Sequence, residues 1–278
     1  MSIDLKRALE AAQAAARRAD QIAMQYFNAE LTVERKSDAS PVTEADRACE
    51  RAIRDTLLEA FPDHAIFGEE YGKHYGQNHD DPNHDRHNPD QAASAEADVE
   101  ALWLVDPIDG TRSFIRGLPF WSVQIALMVN GELVLGVSSA PAFKEQAWAV
   151  RGQGAYINGQ RVQCQPCGSI DDADLSFGNL RSLARGPGWA WAGELFSRAA
   201  RSRAYGDFYS YHRLADGGQD GVIESDVNIL DIAALTVLVR EAGGVMTDLD
   251  GKPIDLESTS ILAAGRVLHE QLLSSRNA

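Results

Sequence analysis

Residues 103–114 read WLVDPIDGTRSF, and this stretch decides how the rest of the chain is interpreted. An apolar run ends in two aspartates, Asp106 and Asp109, which are followed at once by Gly110 and Thr111. The pattern predicts a buried strand that stops, turns and leads into the start of a helix. Such a turn offers carboxylate oxygens to a hard divalent cation and backbone N–H groups to a phosphate. An ordinary Asp-rich turn containing proline has the same pattern.

The composition is that of an ordinary globular protein. The chain has 278 residues, of which 44% are hydrophobic and 24% are charged. Its 26 basic and 41 acidic residues give a formal net charge of -15, which argues against nucleic acid as a partner. The N-terminal segment has no apolar core typical of a signal peptide, and no stretch approaches about 18 apolar residues. We therefore expect a soluble, cytoplasmic protein without a membrane partner.

The cysteines do not indicate a disulfide framework. The chain has three, Cys49, Cys164 and Cys167, and this odd number is typical of a reducing compartment. Cys164 and Cys167 form a C-x-x-C pair, but no second pair or histidine at zinc-binding spacing accompanies them. We interpret the pair as a loop feature, with a redox or metal role as the alternative.

Two amphipathic helices and a short strand precede the opening stretch. Apolar residues at helical spacing predict a helix over 4–27 and a second one that ends near Phe61. Thr43 and Asp46 have the spacing of a capping box at the start of the second helix. The strand 65–67 ends in Gly-Glu-Glu at 68–70, so a second strand end carries carboxylates. Ligands of α/β sheets gather at such strand ends, which predicts a metal site there.

A polar segment separates these two strands. Residues 72–100 are nearly devoid of large apolar side chains and contain His74, His79, His84 and His87. Such a composition buries too little surface to offset the entropy of ordering. We favour a solvated surface insertion over a histidine-rich metal site because no ligand spacing recurs.

The remainder of the chain changes character after its middle. Asn-Gly pairs at 130–131 and 158–159 separate apolar runs, which predicts hairpins in a long antiparallel meander. Farther on, strand and helix patterns alternate. The last long apolar segment, 231–242, predicts a buried helix that starts at Asp231 and stops at Gly243 and Gly244. By itself, Asp231 could simply be an acidic residue in the first turn of a helix.

Three blocks in this order resemble the inositol monophosphatase family of metal-dependent phosphatases. They are GEE at 68–70, DPIDGTRSF at 106–114, and LDIAAL at 230–235 with EAGG at 241–244. The resemblance covers nearly the whole chain and implies an α/β fold, a layered αβαβα sandwich. It implies an α+β N-terminal half over 1–140 and an α/β C-terminal half over 141–278 that share the active site. It also implies a homodimer.

The resemblance further implies two to three Mg²⁺ ions per active site. The implied metal ligands are Glu69, Asp106, the carbonyl of Ile108, Asp109 and Asp231. A third, weaker ion is implied near Glu69 and, through water, Asp46. Lys36 aligns with a family lysine beside that site.

The implied chemistry is direct hydrolysis of a phosphomonoester. Bound Mg²⁺ neutralises phosphate oxygens, activates a water and stabilises the leaving alkoxide. Glu69 and Thr111 are expected to orient this water or accept its proton. The backbone N–H groups of Gly110 and Thr111 are expected to hold the phosphate.

The residue after Asp-Gly-Thr narrows the choice among the family's substrates. Arg112 stands where inositol monophosphatases usually have threonine. Together with GDFY at 206–209 and Ile-Glu at 223–224, it makes the chain similar to the histidinol-phosphatase branch. Asp207, Glu224 and Asn228 are then expected to line the alcohol pocket, where acids suit the ammonium group of L-histidinol phosphate. Asn228 departs from the histidine or lysine often found near this place. The alternatives are an inositol-1-monophosphatase, a 3'(2'),5'-bisphosphate nucleotidase, and a non-catalytic metal- or phosphate-binding protein.

Overall fold

A computed structural model describes residues 3–27, 33–35, 41–75 and 100–276. In chain order, the helices in these ranges are α1 (Leu5–Tyr26), α2 (Glu44–Ala60), α3 (Thr111–Ile115), α4 (Leu180–Arg185), α5 (Trp189–Arg198), α6 (Asp207–Ala215), α7 (Ile229–Glu241) and α8 (Arg266–Arg276). The two N-terminal helices thus form where the apolar spacing predicts them. None of the helices in the described ranges is long and apolar enough to cross a membrane.

The first ten strands form a small hairpin and a large sheet. The hairpin pairs β1 (Val33–Arg35) with β2 (Pro41–Thr43). The other strands are β3 (Ala65–Gly68), β4 (Gly72–His74), β5 (Ala101–Asp109), β6 (Ser122–Val129), β7 (Glu132–Ala140), β8 (Glu145–Val150), β9 (Gly154–Ile157) and β10 (Gln160–Val162). They form an eight-stranded sheet in the order β10-β9-β8-β7-β6-β5-β3-β4. Only the pair of β3 and β5 is parallel among these neighbours.

Both Asn-Gly pairs form tight turns of this sheet. Asn130 and Asn158 have φ of 49°, and the glycines that follow have φ of 78° and 77°. Two successive positive φ values are typical of the hairpin turns that match the twist of the strands. The predicted antiparallel meander is confirmed over β5 to β10.

A second sheet has five strands. They are β11 (Asp174–Phe177), β12 (Arg201–Arg203), β13 (Gly221–Ser225), β14 (Gly244–Thr247) and β15 (Ser260–Gly265), in the spatial order β12-β11-β13-β15-β14. Strand β11 is parallel to β12 and β13, whereas β15 is antiparallel to both its neighbours.

Three hydrophobic clusters arrange these elements in five layers. The first lies between the helices α1 and α2 and one face of the large sheet. The second joins the opposite face of that sheet to α6, α7 and residues of the small sheet, and the third packs α5 and α8 on the small sheet's far side. Gly136 lets α7 approach, because a Cβ there would lie 2.4 Å from the carbonyl oxygen of Ala234. The predicted αβαβα arrangement is confirmed.

Strand β5 is longer than predicted. The apolar run was expected to stop at Asp106, but the strand continues to Asp109 and pairs with β6. Asp106 lies opposite Gln124 and Asp109 opposite Ser122, so β5 has one extra residue in this interval. Such a bulge redirects side chains at the end of a strand. Asp106 and Asp109 therefore belong to the strand itself.

Two boundaries differ in detail from the sequence interpretation. Residues 72–74, expected in the polar insertion, form the edge strand β4. Residues 76–99 of that insertion, with His79, His84 and His87, lie outside the described residues, so the role of the insertion stays a prediction. The large sheet includes β8 to β10, which follow residue 140. We therefore propose that the two halves divide after Val162.

Candidate active site

Three carboxylates meet where β5 ends and α7 begins. Asp106 and Asp109 come from the bulged end of β5, and Asp231 comes from the first turn of α7. One oxygen from each of the three lies within 4.8 Å of the others. Asp106 is 2% exposed and Asp109 is 8% exposed. Three carboxylates this close repel one another, so the donor set fits a hard divalent cation with oxygen ligands.

Neighbouring groups orient the two aspartates of β5. The N–H of Ile108 donates to Oδ1 of Asp106 at 2.9 Å. The hydroxyl of Ser122 donates to Oδ2 of Asp109 at 3.3 Å and accepts from the amide of Gln124 at 2.8 Å. Both aspartates are therefore positioned before a ligand binds.

Asp231 is held by a capping box at the start of α7. The N–H of Asn228 donates to Oδ2 of Asp231 at 2.9 Å, and its side-chain amide donates to Oδ1 at 2.8 Å. The side-chain oxygen of Asn228 accepts from the N–H of Leu230 at 2.8 Å. Asn228, expected to contact substrate, thus has its side chain bonded to Asp231 and the helix start. Its contact with substrate stays a prediction.

Electrostatics make the cluster unfavourable without a cation. Burial raises the pKa of Asp106 well above its usual range, and the charges of Glu69, Asp109 and Asp231 raise it further. Burial likewise raises the pKa of Asp109, with Asp207 as the largest charged contributor. The pKa of Asp231 rises to about 6, mainly through burial and against the hydrogen bonds from Asn228. A bound divalent cation reverses this balance because it stabilises the ionised forms.

Asp46 and Thr111 lie together next to the end of β5. Asp46 is fully buried, and its Oδ2 accepts from the N–H and the hydroxyl of Thr43 at 2.8 and 2.5 Å. The Thr111 hydroxyl lies 3.4 Å from Oδ1 of Asp46 and 3.0 Å from the carbonyl oxygen of Ile108. The capping box at Thr43 is confirmed, and the same aspartate also reaches Thr111.

The turn after β3 carries Glu69 to this place. The N–H of Glu69 donates to the carbonyl of Val105 at 3.2 Å, one residue before Asp106. After burial, the charge of Glu69 raises the pKa of Asp106 more than that of any other neighbouring carboxylate. The predicted meeting of carboxylates at two neighbouring strand ends is therefore present in the structure.

Helix α3 begins immediately after the aspartates. Gly110 has a φ of 85°, and a Cβ there would lie 2.6 Å from the carbonyl oxygen of Phe120, so this position requires glycine. Arg112 lies on the exposed side of α3. Lys36, expected to border the site, lies outside the described residues.

An acidic pocket adjoins the cluster. Its lining comprises Asp109, Asn179, Asp207, Tyr211, Glu224, Val227, Asp231, Ile232 and Leu235. Burial raises the pKa of Asp207 to about 6 and that of Glu224 to about 8. The hydroxyl of Tyr211 donates to Oε2 of Glu224 at 2.7 Å. Glu224 needs a glycine beside it, since a Cβ on Gly178 would lie 2.0 Å from its Oε1.

The sequence interpretation missed Tyr211 and Asn179 as pocket residues. Tyr211 lies four positions after Asp207 in α6, and this spacing places both on one helix face. That signal was available in the sequence. Asn179 follows the end of β11, as Glu69 follows the end of β3 and Asp109 ends β5, but no motif marks it.

The sequence model of the inositol monophosphatase family matches residues 4–278. The chain belongs to this family. A histidinol-phosphatase of Mycobacterium tuberculosis is 38% identical over 275 residues, covering 96% of each protein. A histidinol-phosphatase of Streptomyces coelicolor is 34% identical over 275 residues, covering 93% of this chain and 92% of that protein. The solved structure of an inositol monophosphatase from Zymomonas mobilis has a TM-score of 0.82 and 29% identity, and covers 100% of both chains.

Family membership confirms the resemblance on which the site was predicted. Members of the inositol monophosphatase family are metal-dependent, and this member has a carboxylate cluster that can hold a metal ion. The chain is therefore a phosphatase of this family, with its acidic cluster and pocket side by side.

Proposed function

We propose that this phosphatase hydrolyses L-histidinol phosphate to L-histidinol and phosphate with Mg²⁺ as its cofactor, in the cytoplasm, as part of histidine biosynthesis. One observation carries the proposal: the carboxylate cluster of Asp106, Asp109 and Asp231 shares two residues with a second acidic pocket. The carboxylate cluster suits a metal-bound phosphate, and the acidic pocket suits a cationic alcohol. The histidinol-phosphatases among the relatives support the same substrate.

The proposed metal ligands are those implied by the resemblance. They are Glu69, Asp106, the carbonyl of Ile108, Asp109 and Asp231, for two Mg²⁺ ions, with a third near Glu69 and Asp46. Mg²⁺, when bound, neutralises phosphate oxygens, activates water and stabilises the leaving alkoxide. The carboxylates of this set are all assigned to metal, which favours direct attack of water over a covalent phosphoenzyme.

Thr111 and Glu69 are proposed to orient the attacking water. The Thr111 hydroxyl has one hydrogen, and it lies within reach of both Asp46 and the Ile108 carbonyl. Donation to either acceptor leaves the oxygen lone pairs of Thr111 available to a water O–H. Glu69 would then accept the proton of that water. The N–H groups of Gly110 and Thr111 are proposed to hold phosphate oxygens.

The acidic pocket is proposed to select the alcohol. The ammonium group of L-histidinol phosphate gains charge-assisted hydrogen bonds from Asp207 and Glu224, whereas inositol has no cation to offer. Binding of the ammonium would also favour the ionised carboxylates, whose pKa values burial has raised. Arg112 is proposed to contact the phosphate or the surrounding carboxylates from α3.

Inositol 1-phosphate is the second candidate substrate. Carboxylates also accept hydrogen bonds from hydroxyl groups, and the pocket lining offers the oxygens of Asp207 and Glu224. A substrate panel separates the candidates: phosphate release from L-histidinol phosphate, inositol 1-phosphate, adenosine 3',5'-bisphosphate and fructose 1,6-bisphosphate at saturating Mg²⁺. Two charge-assisted bonds of about 1.5 kcal/mol each predict at least about 100-fold higher kcat/KM for histidinol phosphate. Equal turnover of histidinol and inositol phosphates would refute this substrate.

The variant Glu224→Gln tests the same selection. Glutamine keeps an oxygen for the Tyr211 hydroxyl but removes the negative charge. We expect kcat/KM to fall for histidinol phosphate and to change little for inositol 1-phosphate. A homodimer, proposed from the family resemblance alone, is tested by light scattering on the purified protein.

A further inference from the structure

Three charged residues follow one another along one face of α2. Asp46, Glu50 and Arg54 are spaced four positions apart, which places them on the same side of the helix. Asp46 reaches Thr111, as described above. Glu50 is fully buried, and the proposed mechanism does not use it.

Glu50 binds the turn that carries Glu69. Its Oε2 accepts from the N–H of Glu70 at 2.6 Å, and its Oε1 accepts from the N–H of Tyr71 at 3.2 Å. These amides belong to the two residues that follow Glu69. A carboxylate that accepts both bonds restricts the path of the turn immediately after the proposed metal ligand.

Arg54 completes this attachment from the next turn of α2. Its Nε lies 3.3 Å from Oε1 of Glu50. Its Nη2 donates to the carbonyl of Gly72 at 2.6 Å and lies 3.4 Å from the carbonyl of Ile66. The pair Glu50–Arg54 therefore contacts N–H groups within the turn and carbonyl groups on β3 and β4.

Gly68 shows how closely Glu50 approaches the turn. A Cβ at position 68 would lie 2.1 Å from Oε1 and 2.9 Å from Oε2 of Glu50. Every other residue type would therefore displace the carboxylate from the two amides. Position 68 of the Gly-Glu-Glu block therefore requires glycine because the Glu50 carboxylate lies so close to it.

We propose that Glu50 is a positioning residue that sets Glu69 relative to Asp46 and Thr111, and so sets the affinity of the site for Mg²⁺. Helix α2 supplies Asp46 at one turn and the support of the Glu69 turn at the next. The inference rests on the proposed function, because it takes Glu69 as a ligand of Mg²⁺. Partners that orient metal ligands commonly change metal affinity by about 10- to 100-fold when they are removed.

The test compares Glu50→Gln with Glu59→Gln, which removes an exposed carboxylate from the same helix. Glutamine can accept from one of the two amides, but its NH₂ group faces the other. Two quantities are measured on metal-stripped protein titrated with Mg²⁺: the rise in Tm without substrate, and the rate of phosphate release from histidinol phosphate. We expect the half-saturating Mg²⁺ concentration to rise about 10-fold or more in both for Glu50→Gln and to stay unchanged for Glu59→Gln.

The variant Gly68→Ala displaces the same carboxylate from the side of the turn, so it should give the same rise in half-saturating Mg²⁺ concentration. It serves as the test if Glu50→Gln does not fold. A lower Tm with unchanged half-saturating Mg²⁺ would overturn the positioning role and leave a merely structural one. If the wild-type protein responds to Mg²⁺ and the variants have the same half-saturating Mg²⁺ concentration as the wild type, this inference alone is overturned. Wild-type protein without any response to Mg²⁺ overturns the proposed function as well.

Discussion

The variant Asp109→Asn should raise the stability of the metal-free protein and lower its Mg²⁺-dependent activity. In the metal-free protein, Asp109 is surrounded by the carboxylates of Asp106 and Asp231 within 4.8 Å. Two unit charges at that distance repel by about 3.5 kcal/mol at an effective dielectric constant of about 20. Burial, with a smaller contribution from the charge of Glu69, also raises the pKa of Asp231 from 3.8 to about 6, which disfavours its ionised form by about 3 kcal/mol.

Proton uptake by the cluster relieves part of this repulsion, so we expect Asp109→Asn to stabilise the metal-free protein by about 1–3 kcal/mol. In a chain of this size that gain raises Tm by about 2–5 °C. Asparagine keeps an oxygen that can accept from the Ser122 hydroxyl, so the fold should be preserved. Loss of one metal ligand should nevertheless reduce Mg²⁺-dependent kcat/KM by about 1000-fold, from about 4 kcal/mol of lost charge stabilisation.

The assay combines thermal melts of metal-stripped protein at pH 7.5 with phosphate release at saturating Mg²⁺. Asp172→Asn is the matched control, because this aspartate is exposed on a different part of the chain. It should change neither quantity. Near-normal activity of Asp109→Asn would refute the metal assignment, and a lower Tm of its metal-free form would refute the repulsion within the cluster.

Three further predictions concern pH, packing and the insertion. Because Asp207, Asp231 and Glu224 have raised pKa values of about 6, 6 and 8, the folded metal-free protein binds more protons than the unfolded chain between about pH 4 and 8. Its Tm should therefore fall as pH rises through this window, and Mg²⁺ should flatten the slope; a metal-free Tm that rises with pH contradicts this. Gly136→Ala places a Cβ 2.4 Å from the Ala234 carbonyl and should lower the free energy of unfolding by about 1–3 kcal/mol in urea, whereas no loss would mean that α7 can shift away. Deletion of 78–95 should leave kcat/KM within about 3-fold if the segment is a solvated insertion, and a collapse of activity would assign it a role at the site.

Local chemistry made several individual elements predictable. The Asn-Gly pairs, the capping box at Thr43 and the apolar spacing of α1 each depend on residues close in sequence, and each predicted element formed. The order of strands in the sheets depends on long-range pairing, which no single stretch reveals. The family resemblance supplied the layered arrangement instead.

The sequence predicted which carboxylates come together at the site, but it predicted few of their contacts. The extension of β5 to Asp109 depends on its pairing with β6, so the apolar run alone placed the strand end too early. Two sets of hydrogen bonds join different elements: Tyr211 donates to Glu224, and the turn after Glu69 donates to Glu50. The residues they join are not at helix or strand spacing, so no sequence pattern marks them. The capping box of Asn228 and Asp231 was different, because its three-residue spacing matches the one at Thr43 and Asp46 and could have been predicted.

The most direct test of the account is a Mg²⁺ titration of phosphate release from L-histidinol phosphate by metal-stripped wild-type enzyme. We predict no release above the uncatalysed rate without Mg²⁺, full restoration on its addition, and no restoration in Asp109→Asn. Release that proceeds in the presence of a chelator, or that Asp109→Asn retains, would contradict a metal-dependent site built on the carboxylates of β5 and α7.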